Sequence, residues 1–404
     1  MPAGDAVARL VREEGTRVLA TLARVTGSID LAEDATQDAV VRALETWPRD
    51  GVPDNPRAWL LVTARRRAVD IIRREARRTG KEAEATMLAE PAPEPPEEIR
   101  DDLLRLLFTC CHPALSREAQ VALALRTVGG LSTAEVARGL LVPEATMAKR
   151  LTRAKQKITQ ARIPYRVPPA RQLPARLTGV ATTIYLIFNE GYAAAAGADL
   201  VRVALTTEGV RLARLLADLM PDEPTALGLL ALLLLHDARR ETRLDGEGGQ
   251  VLLADQDRAR WDRAAIEEGV ELVGRALRRT PDRPDSYVAQ AAIAACHALA
   301  PSYAETNWDA VVSWYDVLLA TGESPVARLN RAVAVAERDG PAAGLALVEG
   351  IGGLDGYPWW HATRAELLRR DGRAEEARVA YERAIGLGLS EPQLTHLRRR
   401  LAEL

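Results

Sequence analysis

Ser132-Thr133-Ala134-Glu135-Val136-Ala137-Arg138-Gly139-Leu140-Leu141-Val142-Pro143-Glu144-Ala145-Thr146-Met147-Ala148-Lys149-Arg150-Leu151 is the stretch that decides the fold of this 404-residue chain. Ser132 and Glu135 have the spacing of a capping box, in which each side chain satisfies the other residue's backbone N–H. Val136, Ala137 and Leu140 form an apolar side. Gly139 through Val142 then supplies a short turn, and Pro143 suits the first position of a new helix. Along that helix Met147, Leu151, Ala154 and Ile158 recur at steps of four, three and four and make a core stripe. Thr146, Lys149, Arg150, Arg153 and Lys157 share another face. Between Ala145 and Arg166 there are seven basic residues and no acidic ones, so the helix is strongly cationic. Two helices with this cap, turn and face suit the major groove of DNA. The plainer reading of the same pattern is a helical hairpin with a solvated basic face.

Working outward toward the N-terminus, Lys81–Ile99 is rich in proline and glutamate. It buries too little apolar surface to order itself, which predicts an extended acidic linker. Ahead of it, a helix beginning at Asp30-Leu31-Ala32-Glu33 and running to about Glu45 exposes Asp34, Gln37, Asp38 and Arg42. Prolines 48, 53 and 56 and Gly51 predict an irregular segment over Trp47–Pro56. A second long helix follows from about Arg57 to Arg78, with Trp59, Leu60, Val62, Ala68, Val69, Ile71 and Ile72 on its packed side. Arg66, Arg73 and Arg77 share one face, and Arg67, Arg74 and Arg78 the adjoining one. Residues 57–81 carry nine basic and two acidic side chains, and residues 82–102 carry one and eight. The formal net charge of −2 excludes a uniformly basic binder, yet it averages over strong local contrasts.

Toward the C-terminus, prolines 164, 168, 169 and 174 make a second break, at 163–174. Apolar residues recur at helical spacing almost throughout, so the fold class is all-α. The predicted domains are 1–80, a linker at 81–99, 100–162, a linker at 163–174, and 175–404. Arg338-Asp339-Gly340 and Arg370-Asp371-Gly372 lie 32 residues apart. The later copy, with Ala377, Tyr381 and Ala384, matches the spacing of tetratricopeptide repeats, and an earlier unit opens near Trp308. The apolar run Ala226–Leu235 is about half a membrane span and reads as a buried helix. An odd count of three Cys and the lack of a basic-then-apolar leader point to a reducing cytoplasm and no membrane. Cys110-Cys111-His112 lacks the spaced pairs of a zinc site and reads as packing. His236, Asp237, Asp255, Gln256, Asp257 and Arg258, with Asn189 and Glu190, form either a ligand-binding cluster or a salt-bridged network fixing the loop Gly246–Gln250. Trp308, Trp314, Trp359 and Trp360 read as core, with a peptide groove as the second reading. No cofactor motif is present.

Taken in order, an acidic-faced helix, a Pro-rich loop, a basic helix, an acidic linker and a helix-turn-helix resemble a bacterial sigma factor of the extracytoplasmic-function type. Leu31-Ala-Glu-Asp-Ala-Thr-Gln-Asp38 is similar to that family's clamp-docking helix. Ala58-Trp59-Leu60 through Asp70, with Arg73-Arg74, is similar to its promoter-melting helix, although Arg66 stands where many relatives have Asn. Gly130–Ala137 and Ala145–Leu151 resemble its −35 reader. Phe108-Thr-Cys-Cys-His-Pro113, Ile187-Phe-Asn-Glu-Gly-Tyr192, Leu235-His-Asp-Ala-Arg239 and Asp255–Arg258 with Trp261 resemble the subgroup that carries a long tetratricopeptide-like extension.

The resemblance implies a transcription initiation factor that binds and melts DNA without covalent catalysis. Its partners would be core RNA polymerase and promoter DNA. Thr146, Lys149, Arg150, Arg153 and Lys157 would read the −35 element. Asn55, Arg57, Arg66, Arg67, Arg73, Arg74 and Arg77 would hold the −10 strand. Asp34, Gln37, Asp38 and Arg42 would face polymerase. Of the two aromatics near the −10 loop, Trp59 is expected in the core, which leaves Trp47 for stacking. The extension would act in regulation, with a small YCII-related (DGPF-motif) protein as a candidate partner. The competing functions are a helix-turn-helix regulator that never engages polymerase and a helical-repeat adaptor merely tethered to DNA.

Overall fold

The computed structural model describes residues 3–79, 101–140, 142–192, 203–245, 251–389 and 391–404. The linker expected at 81–99 and the loop Gly246–Gln250 lie outside the described residues. The described residues are all-α, with no strand among them. The chain divides into two compact units, Met1–Ile187 and Phe188–Leu404.

The first unit opens with α1 (Ala3–Thr26), α2 (Ile29–Asp50) and α3 (Pro56–Thr79). The N-cap of α2 is Ser28, whose Oγ accepts the Leu31 N–H at 3.2 Å, so the helix starts one residue earlier than the Asp30 signal suggests. It also runs past the expected end at Glu45, carrying Pro48 in its last turn. A proline so close to a C-terminus removes one intrahelical hydrogen bond without breaking the helix. Gly51, with φ of 84°, then turns the chain. That conformation is open to glycine at little cost.

After the linker come α4 (Asp102–Cys110), α5 (Arg117–Thr127), α6 (Thr133–Gly139), α7 (Glu144–Gln160) and α8 (Pro174–Tyr192), which runs across the boundary between the units. Asp101 and Ser116 cap α4 and α5 through the N–H groups of Leu104 and Ala119. Leu22, Leu60, Leu104, Leu107, Phe108, Leu123, Met147 and Ile158 are fully buried in this unit. Each contributes about 1.5–3 kcal/mol of apolar burial, which offsets the ordering of the helices that carry them.

The second unit continues with α9 (Val203–Leu219), α10 (Pro224–Asp237), α11 (Arg263–Arg279), α12 (Ser286–Leu299) and α13 (Trp308–Thr321). It ends with α14 (Pro325–Asp339), α15 (Pro341–Glu349), α16 (Pro358–Arg370), α17 (Ala374–Ile385) and α18 (Glu391–Ala402). The apolar run Ala226–Leu235 is buried along its whole length in α10, packed by α11 and α12. Gly228 lets α12 approach closely: a Cβ there would lie 2.8 Å from the backbone N of Val288 on α12. The expected repeats are helical hairpins, α14 with α15 and α16 with α17. Ala377, Tyr381 and Ala384 are buried in the second hairpin. No described helix is long and apolar enough to cross a membrane.

Candidate nucleic-acid interface

The reading helix α7 is held by a local device and a buried stripe. Ser132 Oγ accepts the Glu135 N–H at 3.2 Å, and the Glu135 carboxylate accepts the Ser132 N–H at 2.7 Å. Pro143 is the N-cap residue, so α7 begins at Glu144, one position later than expected. With φ of −56° and ψ of 139° its backbone is still extended. Met147, Leu151, Ala154 and Ile158 are at most 6% exposed and fix the helix against its neighbours. Thr146, Lys149, Arg153 and Lys157 stand exposed on the outer side, and the three cations form no ion pair among the described residues. Arg150 is half-buried. The Glu118 carboxyl is held below its ordinary pKa by its own backbone N–H and by Ser116, with the charges of Arg150 and Arg117 acting the same way.

The second cationic helix, α3, packs through Leu60, Ala64, Ala68 and Ile72, a stripe of strict four-residue spacing. Val62, expected on that side, is 48% exposed because it sits about 200° around the helix from Leu60. Arg66, Arg73 and Arg74 are exposed and free of ion pairs among the described residues. Arg57 pairs with Glu14 at 3.3 Å. Arg67 pairs with Asp38 across α2 and α3, so two residues expected to meet different partners meet each other. The Asn55 side-chain Oδ1 accepts the Ala58 N–H at 3.0 Å and thereby caps α3. The side chain of Arg77 lies outside the described residues.

A cavity of about 460 Å3 opens between the end of α2 and the start of α3, lined by Trp47, Gly51, Pro53, Trp59, Thr63 and Arg66. The expectation for its two aromatics is reversed. Trp47 is only 3% exposed, and Trp59 is the half-buried one; their rings meet edge to face at 5.3 Å. The continuation of α2 through Pro48 explains this, because it puts Trp47 on the core stripe of Ala35, Ala39 and Ala43. On α2 itself Asp34, Gln37, Asp38 and Arg42 are exposed, with Arg42 3.7 Å from Glu45.

The two basic helices belong to one unit, and side chains hold its halves together. Lys155 turns away from the outer face of α7 and pairs with Asp30 at 3.1 Å and with Glu33, both in the first turns of α2. Burial alone would lower the pKa of this ammonium, but the hydrogen bonds and charges of Glu33 and Asp30 outweigh it and the net shift is upward. Tyr165 Oη accepts the Ile29 N–H at 3.1 Å, and Arg24 pairs with Asp102 at 2.7 Å. None of these pairings is signalled by local sequence.

The remaining sequence candidates resolve as follows. Cys110 and Cys111 are buried and point apart, to Thr127 and Thr183, and burial pushes the Cys110 thiol up to about 12. Among the described residues no group of His, Cys, Asp or Glu is placed to hold a metal. Asp237 pairs with Arg240, Gln256 bonds Thr242 and the Val251 carbonyl, and Asp257 caps a short turn at Ala259. Asp255 is exposed. Trp308 and Trp314 pack against one core cluster and Trp359 and Trp360 against another, each half-buried.

Comparison with known proteins agrees with the order of these elements. The Sigma-70 region 2 family matches residues 10–78, Sigma-70 region 4 matches 105–158, and a family of unknown function (DUF6596) matches 176–277. An uncharacterized protein of Rhizobium meliloti is 44% identical over 396 residues, covering 96% of this chain and 93% of that protein. The ECF RNA polymerase sigma factor SigL of Mycobacterium tuberculosis is 32% identical over 148 residues, covering 36% of this chain and 83% of SigL. SigK of Mycobacterium ulcerans, also an ECF RNA polymerase sigma factor, is 30% identical over 155 residues, 36% of this chain and 80% of SigK. With regions 2 and 4 both matched and two such relatives covered over most of their length, the chain belongs to the extracytoplasmic-function sigma factors of the sigma-70 family.

Proposed function

We propose that the chain directs core RNA polymerase to promoters by reading DNA with α7 and holding the melted −10 strand with α3. The observation that carries this reading is one pattern on two helices. Lys149, Arg153 and Lys157 on α7 and Arg66, Arg73 and Arg74 on α3 stand exposed, without a carboxylate partner among the described residues, on helices that each pack through a buried stripe, and Arg66 lines a cavity with aromatic walls. Thr146, Lys149, Arg150, Arg153 and Lys157 divide between phosphates and base edges in the major groove at −35. Arg66, Arg73 and Arg74, joined by Arg57, Arg67 and Arg77, track the backbone of the single strand. One base leaves the stack for the cavity beside Trp47 and Trp59, and Asn55 keeps the start of α3 in register. Unstacking a base costs a few kcal/mol, and backbone contacts of this kind offset it. Asp34, Gln37, Asp38 and Arg42 form the polymerase-facing side of α2.

Simultaneous reading requires the first unit to open. Elements at −10 and −35 lie roughly 25 base pairs apart, about 85 Å along the duplex at about 3.4 Å per step. A compact unit of this size has a radius of gyration of only about 16 Å. The contacts of Lys155, Tyr165 and Arg24 therefore part on promoter binding. The extension acts in regulation, with a small YCII-related protein as its partner.

Run-off transcription with purified core polymerase tests the reading. A promoter-dependent product is expected from the full chain. Arg150→Glu should remove the −35 footprint without loss of helical content. DNA binding with no co-purification of core polymerase would instead support a free-standing regulator.

A further inference from the structure

In the second unit, three arginines gather at the ends of helices α8, α10 and α12. Arg243 is 9% exposed, lies 3.5 Å over the Tyr192 ring, and donates to the Tyr192 carbonyl. Arg239 lies 5.8 Å from the same ring and bonds His236 Nδ1 at 3.2 Å. Arg258 sits 4.5 Å over Trp261 and donates to the carbonyls of His297 and Ala300 at 2.5 and 2.9 Å. None of the three has a carboxylate partner among the described residues. The nearby Asp237 is paired with Arg240, and Asp257 with a backbone N–H.

Capping of helix C-termini accounts for part of this arrangement, because arginine complements the carbonyls and partial negative charge there. It leaves four donor or acceptor atoms unexplained. Arg258 Nη2, His297 Nδ1, Tyr192 Oη and Thr306 Oγ1 are all buried with no hydrogen-bond partner among the described residues. Tyr192 and Thr306 are themselves 9% and 5% exposed. Both imidazoles are held neutral: burial first, then the charge of Arg239, lowers the pKa of His236 and of His297, the latter to about 4. Unpaired charge and orphaned polar atoms together are expensive in a folded protein unless something completes them.

The adjacent groove shows what completion looks like. That cavity, about 500 Å3, is lined by residues including Tyr303, Glu337, Glu366, Arg369, Arg370 and Arg400. There Arg370 pairs with Glu337, both Arg369 and Arg400 pair with Glu366, and Tyr381 Oη donates to Glu366 at 2.8 Å. The repeat region neutralises its arginines where it has no use for free charge.

We propose that Arg239, Arg243 and Arg258, with His297, Tyr192 and Thr306, form a binding site for the phosphate group of a small molecule. Arg243, Tyr192, Trp261 and Thr306 are buried, and Arg239, Arg258, His236 and His297 are partly exposed. A phosphate monoester carries roughly −2 charge near neutral pH and three strong acceptor oxygens, which match three guanidiniums and further donors. A monocarboxylate offers one charge and two oxygens and fits less well. The Tyr192 ring is already occupied, by Phe188 stacked at 5.4 Å and by Arg243, so it offers no platform for a nucleobase.

Thermal unfolding of the full chain, titrated with inorganic phosphate against acetate at constant ionic strength, tests the site. Phosphate should raise the melting temperature saturably and acetate should not. Arg239→Gln and Arg258→Lys should each weaken the half-saturating concentration about tenfold, the loss of one charge-assisted contact. Arg73→Ala, on the exposed face of α3, should leave the response intact. Circular dichroism checks folding, and Arg239→Gln carries the test if the Arg258 variant fails to fold. A phosphate response that survives both cluster substitutions and disappears with Arg73→Ala would overturn the proposal, placing the anion on the DNA-binding face. So would the absence of a saturable response to phosphate in the parent chain.

Discussion

Arginines in the two compact units are held in opposite ways. On α3, Arg66, Arg73 and Arg74 are exposed and have no ion-pair partner among the described residues, opposite a buried packing stripe. In the second unit Arg239, Arg243 and Arg258 lie over aromatic rings, partly or wholly out of water, and still without a carboxylate among the described residues. Exposed cations cost the fold little and remain free to meet a polyanion in many registers. Enclosed ones weaken the fold until a ligand of defined shape arrives. The first arrangement suits a DNA backbone, and the second a small anion.

The sharpest way to break the contrast is to reverse charge on the exposed set. Arg66→Glu, Arg73→Glu and Arg74→Glu combined should reduce promoter-dependent transcription by at least about a hundredfold, because three phosphate contacts are lost and repulsion is added. The melting temperature should barely move, as expected for exposed positions away from packed features. A large drop in melting temperature would show that these side chains support the fold and would remove the distinction.

The enclosed set predicts a pH response instead. His297 has a folded pKa of about 4, lowered first by burial and then by Arg239 and Arg258. Its unfolded value is about 6.5. Between these values the unfolded chain binds the extra proton, so stability falls as pH drops through the window. The loss should reach about 2 kcal/mol between pH 6.5 and 5. His236, pushed down by burial, Arg239, Arg243 and His297, acts in the same direction. Urea unfolding of the parent and of His297→Gln over that range measures it. Parallel pH dependences in the two proteins would remove His297 as the cause.

What was legible in the sequence was local. The Ser132–Glu135 capping box, the stripe from Met147 to Ile158 and the extent of α3 depend on residues within a few turns of one another, and each is found as expected. The α7 face was legible by the same periodicity, apart from Lys155. What escaped depends on the approach of distant segments. Arg67 finds Asp38 from 29 positions away, Lys155 finds Glu33 from 122, and Arg258 finds His297 from 39. Trp47 and Trp59 exchanged roles for a subtler reason. Pro48 reads as a breaker, yet within the last turn of α2 it is tolerated, and one added turn of helix decides which indole is buried. The motif Leu235–Arg239 marked the second cluster, which the sequence left open between a ligand-binding cluster and a salt-bridged network because nothing local reveals a missing partner.

Lys155 is the α7 cation that behaves like the enclosed set, with a side chain 15% exposed between Asp30 and Glu33. Lys155→Ala should destabilise the closed first unit by about 1–2 kcal/mol, chiefly by leaving the Glu33 carboxylate half-buried and alone. Hydrogen exchange in the first turn of α2 should rise while the −35 footprint persists. A loss of the footprint equal to that of Lys149→Ala assayed beside it would put Lys155 on DNA rather than on α2.

The smallest expected effect is the most discriminating, because its sign separates two accounts of the second cluster. If Arg239 serves the fold, removing it forfeits a hydrogen bond to His236 and a distant cation–π contact with Tyr192, and stability falls. If it serves a ligand, its charge without that ligand acts mainly against Arg243 and Arg258. Arg239→Gln then relieves like-charge repulsion and keeps a donor for His236. A ring contact at 5.8 Å is near the limit of cation–π attraction, so little is lost on that side. The variant should therefore gain about 0.5–1 kcal/mol in phosphate-free buffer, as substitutions that trade ligand binding for stability commonly do. Saturating phosphate should erase the gain, because only the parent still binds it tightly. Chemical unfolding of both proteins with and without phosphate reads this directly. A variant less stable than the parent in phosphate-free buffer would make Arg239 a structural residue, and the contrast between the two units would then be one of burial alone.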